Sequence, residues 1–389
     1  MKNYSVRKQI IVVHSRVVRN MNLEFSEEQT LLSNLVERFT SDHYDLSKRA
    51  AYVESSQGHS ADNWAIMAET GILTVPFSER YGGLGGNPED IVCVMKPLGK
   101  AVAVDPMLAS PIFAGSLLER VGTDTQKDEW IPKIISGHAH ISVAHSEPSA
   151  RYDLAYVKTK YEHANGTVKL TGKKTFVLGS AAANAYIATA VPQASSTTSN
   201  DISFFLIDRE ATGLSHSQYR LIDGSIGCEL TLNNTPATPM NGHIDDLMSV
   251  ISLTKIAACA EMVGLMELLL EDTLEHVKTR EQFGRPLSKM QVIQHRLADA
   301  HISLELCRSH LLRMAASNER DDNYMQMNAG SKAYISQAAV ALAEEAVQLH
   351  GGMGTTDELI IGHAMKRILL LSSLFGDADT EISRYSTAH

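Results

Sequence analysis

The period of the hydrophobic pattern changes twice along the chain. Between residues 22 and 139, apolar residues recur at helical spacing, and Ser26 and Gln29 open the first such stretch with the spacing of a capping box. Between residues 140 and 243, short segments rich in β-branched and aromatic residues alternate with turn residues, as in antiparallel strands. Between residues 244 and 389, long proline-free stretches return to helical spacing. The pattern predicts an α+β fold: an N-terminal α-helical domain, a central antiparallel β domain and a C-terminal helical bundle.

Residues 1–21 stand outside this pattern. The first twenty residues contain five basic residues and no acidic one, and their apolar core, residues 10–13, is too short for a secretory signal. We expect a basic tail that is either disordered or not native, with Met21 as the start of the protein. A transit peptide is the alternative interpretation.

Composition narrows the class of protein. Its 389 residues suggest two or three domains, and 35 Lys and Arg against 45 Asp and Glu give a net charge of −10. This charge argues against a nucleic-acid or anionic-membrane binder. No apolar run approaches the roughly 18 residues that span a bilayer.

Cysteine and histidine positions give no sign of a metal site or of disulfide bonds. The four cysteines are widely separated, without a CxxC pair, so the sequence predicts a reducing, cytoplasmic location. His138 and His140 would share a strand face, but no third ligand lies at a suitable spacing. We therefore predict no metal site.

Three motifs point to a function. They are TREQFGRP at residues 279–286, QLHGGMG at residues 348–354, and SVAHSEP at residues 142–148, which KTFVLGS follows at residues 174–180. Together they resemble the acyl-CoA dehydrogenase flavoprotein family from about Met21 onward. The ending LFGDAD, residues 374–379, further resembles the small-subunit type of pimeloyl-CoA dehydrogenases.

The resemblance implies an architecture and a reaction. It implies that the bundle has four helices and that FAD lies between the β domain and this bundle, across a subunit interface. A working site then needs at least a dimer, and we expect a homo- or heterotetramer, possibly with a paralogous large subunit. The expected reaction is α,β-dehydrogenation of an acyl-CoA thioester, with an electron-transfer flavoprotein as acceptor.

One group of residues suits the AMP and pyrophosphate half of FAD. A guanidinium can hold a pyrophosphate bidentately, a phenyl ring can stack on adenine, amides can donate and accept, and paired glycines allow close backbone approach. A surface ion pair with Glu281 is the alternative for Arg280. In the family, the matching positions serve the flavin of the neighbouring subunit; they are Arg280, Phe283, Gln291, Gln348, Gly351 and Gly352.

A second group would hold the flavin ring on the β domain. Ser146 matches a family position that hydrogen-bonds the isoalloxazine edge, and Phe176 matches a large aromatic that shields the ring. Leu178 matches a position that is often Thr, so a hydroxyl near flavin N5 is missing. Tyr152 stands where the family commonly has Ser on the acyl-CoA side, so that contact does not carry over.

The catalytic base departs from the family pattern. Much of the family has a Glu just before a Gly in the loop after the penultimate helix. Alignment forward from Gly354 places Phe375 there, whereas alignment backward from Arg384 places Asp377 there. Some members carry the base on an earlier helix, where Thr254 stands.

Three hypotheses follow for the base. Asp377 is the first candidate, a partner subunit is the second, and Asp379 or Glu261 is the third. The alternative function is a non-catalytic or half-site subunit of a heteromeric dehydrogenase; a remoter one is another reaction at the α carbon. The small-subunit resemblance suggests dicarboxylyl or ring-derived thioesters, but no residue identifies the acyl group.

Overall fold

A computed structural model describes residues 25–164, 166–194 and 201–387. The predicted basic tail over residues 1–21 lies outside the described residues. Within the described ranges no helix is both long and apolar enough to cross a membrane.

The N-terminal domain is helical, as its pattern predicts. Its helices begin at polar caps: Ser26 forms the predicted capping box with Gln29, and the side chains of Asp45, Ser60 and Asn87 each accept a backbone N–H of the helix that follows. The helices are α1 (Glu27–His43), α2 (Leu46–Glu54), α3 (Ala61–Glu69), α4 (Pro88–Lys100), a π-helical segment (Leu108–Gly115), α5 (Ser116–Val121) and α6 (Asp124–Ile135).

The central domain is a seven-stranded sheet. Its strands are β1 (Ile141–Ala144), β2 (Lys160–Ala164), β3 (Thr167–Leu178), β4 (Ala185–Pro192), β5 (Ser203–Asp208), β6 (Leu214–Arg220) and β7 (Ile226–Pro239). Most pairings are antiparallel, as predicted, but β4 pairs in parallel with both β1 and β2. The predicted antiparallel β domain is therefore present, with two parallel pairings that were not predicted, because local patterns reveal strands but not which distant strand lies alongside.

The C-terminal domain is helical. It contains α7 (Ile244–Thr279), a short hairpin of β8 (Glu281–Gln282) and β9 (Arg285–Pro286), then α8 (Gln291–Ala315), α9 (Tyr324–His350), α10 (Ile360–Ser373) and α11 (Ala378–Thr387). Four of these helices are long, and α11 is a short fifth that packs on α9.

A continuous core joins the two helical domains. Helix α4 packs along α7 so closely that a Cβ at Gly99 would overlap the Glu261 carbonyl, and one at Gly264 would overlap that of Lys96. Only glycine permits this approach at both points. The β domain packs against α7 through a second cluster that includes Ile141 and Leu247. The three domains therefore meet around the first half of α7.

Candidate active site

A cavity of about 500 Å³, called the main cavity below, lies where the three domains meet. The loop after β1, the end of β3, the first half of α7 and the loop after α10 all contribute to its wall. Ser146, Phe176 and Leu178, the three residues predicted to hold a flavin ring, all line it. The fold thus brings together side chains that are up to 32 positions apart in the chain.

A β-bulge aims Phe176 into the main cavity. The pairing of β3 with β7 slips between Lys174 and Val177, and Phe176 adopts a φ of 56° there. Its ring is 37% exposed, which is unusual for a strand aromatic beside a buried Val177. The Thr175 N–H donates to the Ser146 carbonyl at 2.9 Å and holds this strand against the loop after β1. The exposed ring is available to cover a planar ligand.

A buried ion pair supports this wall of the main cavity. Lys174 Nζ lies 2.7 Å from Glu147 Oε1, with both side chains almost fully buried. Glu147 also accepts the backbone N–H groups of Lys158 at 2.7 Å and Thr159 at 3.0 Å. Burial by itself would raise the pKa of Glu147, but the Lys174 ammonium and these hydrogen bonds lower it overall. Glu147 therefore stays ionised and fully bonded, although it lines the cavity.

Phe375 lines the opposite wall. Its backbone has a φ of 62°, and its ring packs edge-on against Phe113 with centroids 5.0 Å apart. Arg384 donates to the Phe375 carbonyl and to the Tyr152 carbonyl, both at 2.9 Å. An aromatic side chain thus occupies the cavity position that forward alignment matches to the family's Glu.

Two buried lysines hold the turn that presents Phe375. Lys332 Nζ donates to the carbonyls of Leu371 at 3.1 Å and Ser372 at 3.0 Å, at the end of α10. Lys255 Nζ bonds both oxygens of the fully buried Glu381 at 2.8 Å. These contacts satisfy helix-end carbonyls and pair the buried charges, so the turn is fixed on both sides.

The proposed bases of this chain lie elsewhere. Asp377 does not line the main cavity; its Oδ1 accepts the Thr380 N–H at 2.9 Å at the start of α11. Hydrogen bonds from Thr380 hold the pKa of Asp377 below its ordinary value. Asp379 is exposed, and Glu261 forms a two-point ion pair with Arg367 at 2.6 and 2.9 Å.

Thr254, on the earlier helix, also carries no proton-accepting role here. It is buried and its hydroxyl donates to the Val250 carbonyl of its own helix at 2.7 Å. Ile251, one turn earlier, is the residue of α7 that lines the main cavity. Glu147 is the one carboxylate among the described residues that line this cavity, and it is fully bonded.

The other predicted residues gather at the far end of α7. His276 and His350 stack with centroids 4.2 Å apart, and Val277, Ile293 and Leu349 form a cluster beneath them. These contacts bring the TREQFGRP and QLHGGMG motifs together. The six predicted residues around the contacts are all exposed: Arg280, Phe283, Gln291, Gln348, Gly351 and Gly352.

The two groups of predicted residues cannot hold one ligand within one chain. Ile251 lines the main cavity, and Arg280 ends the same helix 29 residues later. At 1.5 Å per residue these positions are about 40 Å apart, far more than a dinucleotide spans. One dinucleotide therefore cannot contact both groups within a single chain.

Sequence reasoning missed several cavity residues. Phe113, Val143 and Ile251 line the main cavity, but as apolar residues of predicted helices and strands they look like core. Arg151 also lines it, with a φ of 51° in the loop after β1. The one signal in the sequence for these cavity residues is the charged side chain of Arg151, close to the SVAHSEP motif. Within the described ranges, no cluster of three or more metal-ligating side chains occurs.

Comparison with known families covers almost the entire described chain. Models of the N-terminal, middle and C-terminal domains of acyl-CoA dehydrogenases match residues 26–138, 142–235 and 244–386. A protein described as probable acyl-CoA dehydrogenase YngJ from Bacillus subtilis is 27% identical over 375 residues, which are 94% of this chain and 98% of the relative. Mitochondrial isovaleryl-CoA dehydrogenase of Arabidopsis thaliana is 28% identical over 94% of this chain and 91% of its own.

Solved structures share the fold of this chain over nearly its whole length. A variant of the Tcur3481-Tcur3483 steroid ACAD has 25% identity and a TM-score of 0.84, covering 93% of this chain and 97% of the other. Butyryl-CoA dehydrogenase from Megasphaera elsdenii shares the fold, with a TM-score of 0.85 at 22% identity, over 94% of this chain and 98% of the other.

Proposed function

Because the chain belongs to the acyl-CoA dehydrogenase family of FAD-dependent oxidoreductases, we propose that it binds FAD and an acyl-CoA thioester at the main cavity and takes part in α,β-dehydrogenation of that thioester. One observation carries the proposal: the three residues predicted for the flavin ring line a single cavity, opposite the loop that precedes α11. Homologues of the same length share this fold throughout.

The residues of the main cavity fit a flavin ring. Phe176 presents an exposed face, and Ser146 offers a hydroxyl and backbone groups at the cavity edge. FAD supplies, when bound, the hydride acceptor for α,β-dehydrogenation. Leu178 presents no hydroxyl beside it, so this chain gives one hydrogen bond fewer at that point. The apolar residues that line the main cavity exclude water from the reacting carbons.

The residues at the far end of α7 would serve the AMP and pyrophosphate half of a second FAD. Arg280 is a permanent cation with a planar fork, and Gly351 and Gly352 leave open space where a Cβ would stand. Because the two groups are about 40 Å apart, the active assembly is at least a dimer. Tetramer formation and an electron-transfer flavoprotein acceptor are parts of the proposal that rest on the family, and a cytoplasmic location is a part that rests on the four separated cysteines.

Two sources of the proton acceptor are proposed. The first is Asp377 of this chain. The second is a carboxylate of a paralogous partner subunit. The second is favoured by Phe375 in the cavity wall and by Asp377 serving as a helix cap with a lowered pKa. The resemblance to a pimeloyl-CoA dehydrogenase small subunit supports it, as does the name of a two-component neighbour, the Tcur3481-Tcur3483 steroid ACAD.

Anaerobic flavin reduction tests the function. FAD-loaded protein is mixed with butyryl-CoA or isovaleryl-CoA, alone and after co-expression with a paralogue that carries the family's Glu. We expect loss of flavin absorbance in the complete assembly. If neither preparation binds FAD, or neither has its flavin spectrum perturbed by any acyl-CoA, the proposed function is wrong.

The same assay separates the two proton acceptors. Asp377→Asn keeps size and polarity but cannot take a proton, so it should slow reduction by on the order of a thousandfold if Asp377 is the base. Asp379→Asn is the matched control and should be mild. If both variants match the wild type and activity depends on the paralogue, the partner supplies the carboxylate.

A further inference from the structure

A smaller cavity adjoins the main cavity behind Leu178 and Leu374, whose side chains line both. Segments from all three domains enclose this small cavity, and its volume is about 60 Å³. A water molecule takes about 30 Å³ in the liquid, so the space suits a few heavy atoms. Leu178 and Leu374 are the two residues that separate it from the main cavity.

An incompletely bonded carboxylate faces this space. Asp105 lines the small cavity and is 9% exposed. Its Oδ2 accepts the Tyr44 hydroxyl, but its Oδ1 accepts no well-aligned hydrogen bond from any described residue. Burial raises the pKa of Asp105 to about 7, against smaller lowering effects of Tyr44 and of the backbone N–H groups of Asp105 and Ser60. A hydrogen-bond donor in the cavity would therefore stabilise the carboxylate.

Two other polar residues that line the small cavity already have partners. Arg367 bonds both oxygens of Glu261 and, at 2.8 Å, one of Asp223. His59 contacts the Gln57 carbonyl through Nδ1 at 3.2 Å, and burial lowers its pKa, which keeps it neutral. Among the described residues that line the small cavity, Asp105 has the one buried side-chain oxygen or nitrogen without a hydrogen-bond partner.

Arg367 and Asp105 are the charged residues among the described residues that line the small cavity. Arg367 is already paired with the carboxylates of Glu261 and Asp223, and Arg49 donates to the Asp223 carbonyl at 3.3 Å. The unpartnered oxygen of Asp105 therefore favours a hydrogen-bond donor in the cavity.

We propose that the small cavity binds the distal end of the acyl group and that Asp105 accepts a hydrogen bond from a hydroxyl or ammonium group there. The inference rests on the proposed function and defines its substrate class: a thioester whose acyl tail ends in a hydrogen-bond donor. It favours a donor-ended tail over the dicarboxylyl thioesters that the small-subunit resemblance suggests, because a terminal carboxylate brings no hydrogen-bond donor to the unpartnered oxygen of Asp105.

Matched thioesters test the inference. The FAD-loaded assembly is titrated with alkanoyl-, ω-hydroxyacyl-, ω-aminoacyl- and ω-carboxyacyl-CoA of equal chain length, over increasing lengths, and binding is read from the flavin spectrum. At the length that reaches the small cavity, the donor-ended thioesters should bind about ten- to a hundredfold more tightly than the alkanoyl one, and the ω-carboxyacyl thioester most weakly. Comparing the affinities of the ω-hydroxyacyl and ω-aminoacyl thioesters distinguishes a hydroxyl donor from an ammonium donor.

Two variants provide the controls. Asp105→Leu should abolish the preference while alkanoyl-CoA still binds. Tyr44→Phe removes the other bond to Asp105 without changing the cavity wall, and should keep the preference. If alkanoyl thioesters bind as tightly as donor-ended ones at every length, the cavity holds only water and the inference is wrong, while the proposed function stands. The comparison of alkanoyl with donor-ended thioesters on the wild-type protein tests the inference even if Asp105→Leu does not fold.

Discussion

The wall of the main cavity and the far end of α7 are built in opposite ways. Around the cavity, charged groups are buried in pairs, as in Lys174 with Glu147 and Lys255 with Glu381, and the ligand-facing surface is mostly apolar. At the far end of α7, Arg280 and Phe283 are exposed on a short hairpin, and Phe283 is 90% exposed. In the first region the buried charges are paired within a single chain, whereas the second presents exposed groups that have few contacts within the chain.

This difference separates residues whose substitution should affect folding from residues that are proposed to bind FAD. A buried charge that loses its partner destabilises the native state, because the remaining charge stays desolvated. An exposed side chain contributes little to folding, since water surrounds it in both states. Substitutions near the cavity should therefore alter stability as well as chemistry, and those at the far end should alter ligand retention alone.

The largest expected effect comes from giving the cavity its missing carboxylate. In Phe375→Glu, a base would face the main cavity from the turn fixed by Lys332 and Arg384. We expect the rate of flavin reduction by acyl-CoA to rise on the order of 10²- to 10⁴-fold in the protein without a paralogous partner. This is the usual rate gain from a positioned proton acceptor. Phe375→Gln, equal in size but unable to take a proton, is the control. Equal rates in the two variants would contradict the placement of the base at this position.

The next effect concerns stability at the cavity wall. Lys174→Met leaves Glu147 buried without its cation, so the free energy of unfolding should fall by about 3–5 kcal/mol. Denaturant unfolding measures it. The double variant Lys174→Met/Glu147→Gln removes both charges and should recover much of the loss. A single variant as stable as wild type would show that the pair does not support this wall.

A smaller effect is expected at the far end of α7. Arg280→Ala should weaken FAD binding about ten- to a hundredfold, since a charged hydrogen bond contributes roughly 1.5–3 kcal/mol. Its unfolding free energy without FAD should match that of the wild type, because Arg280 is exposed. Fluorescence titration with FAD measures the first quantity, and denaturant unfolding the second.

Mixing experiments sharpen this prediction. We propose that the two regions belong to different copies of FAD, and on that proposal co-assembly of Arg280→Ala with a Phe176→Ala chain should restore about half of the sites. In a mixed dimer one site carries both defects and the other carries none. Absence of any recovery in verified mixed assemblies would place both groups in one site.

The smallest effect concerns the hairpin ring. Phe283→Ala should reduce FAD affinity by about two- to tenfold, as an aromatic contact contributes roughly 0.5–1.5 kcal/mol beyond burial. Phe283→Tyr keeps the ring and should retain FAD. Since Phe283 is 90% exposed, neither variant should change the melting temperature without FAD. A lower melting temperature would mean that the ring stabilises the chain itself.

Much of the fold is readable from local patterns. Hydrophobic period separates helical from strand segments, and polar caps such as Ser26 and Asn87 mark where helices begin, because these signals act over a few residues. The motifs likewise identify Arg280, Phe283 and the glycine pair as a group. Local patterns do not predict the parallel pairing of β4 with β1 and β2, since strand pairing depends on segments far apart in the chain.

The sequence by itself determined the three domains, the family resemblance and the residue types suited to flavin. Tertiary structure decided what those residues can reach. Asp377 and Phe375 are two positions apart, yet one caps α11 and the other lines the main cavity. Asp105 looks like an ordinary loop acid until packing encloses it beside His59 and Arg367. Burial and direction depend on contacts between distant segments, and these set whether a carboxylate caps a helix, pairs with a cation or faces a ligand.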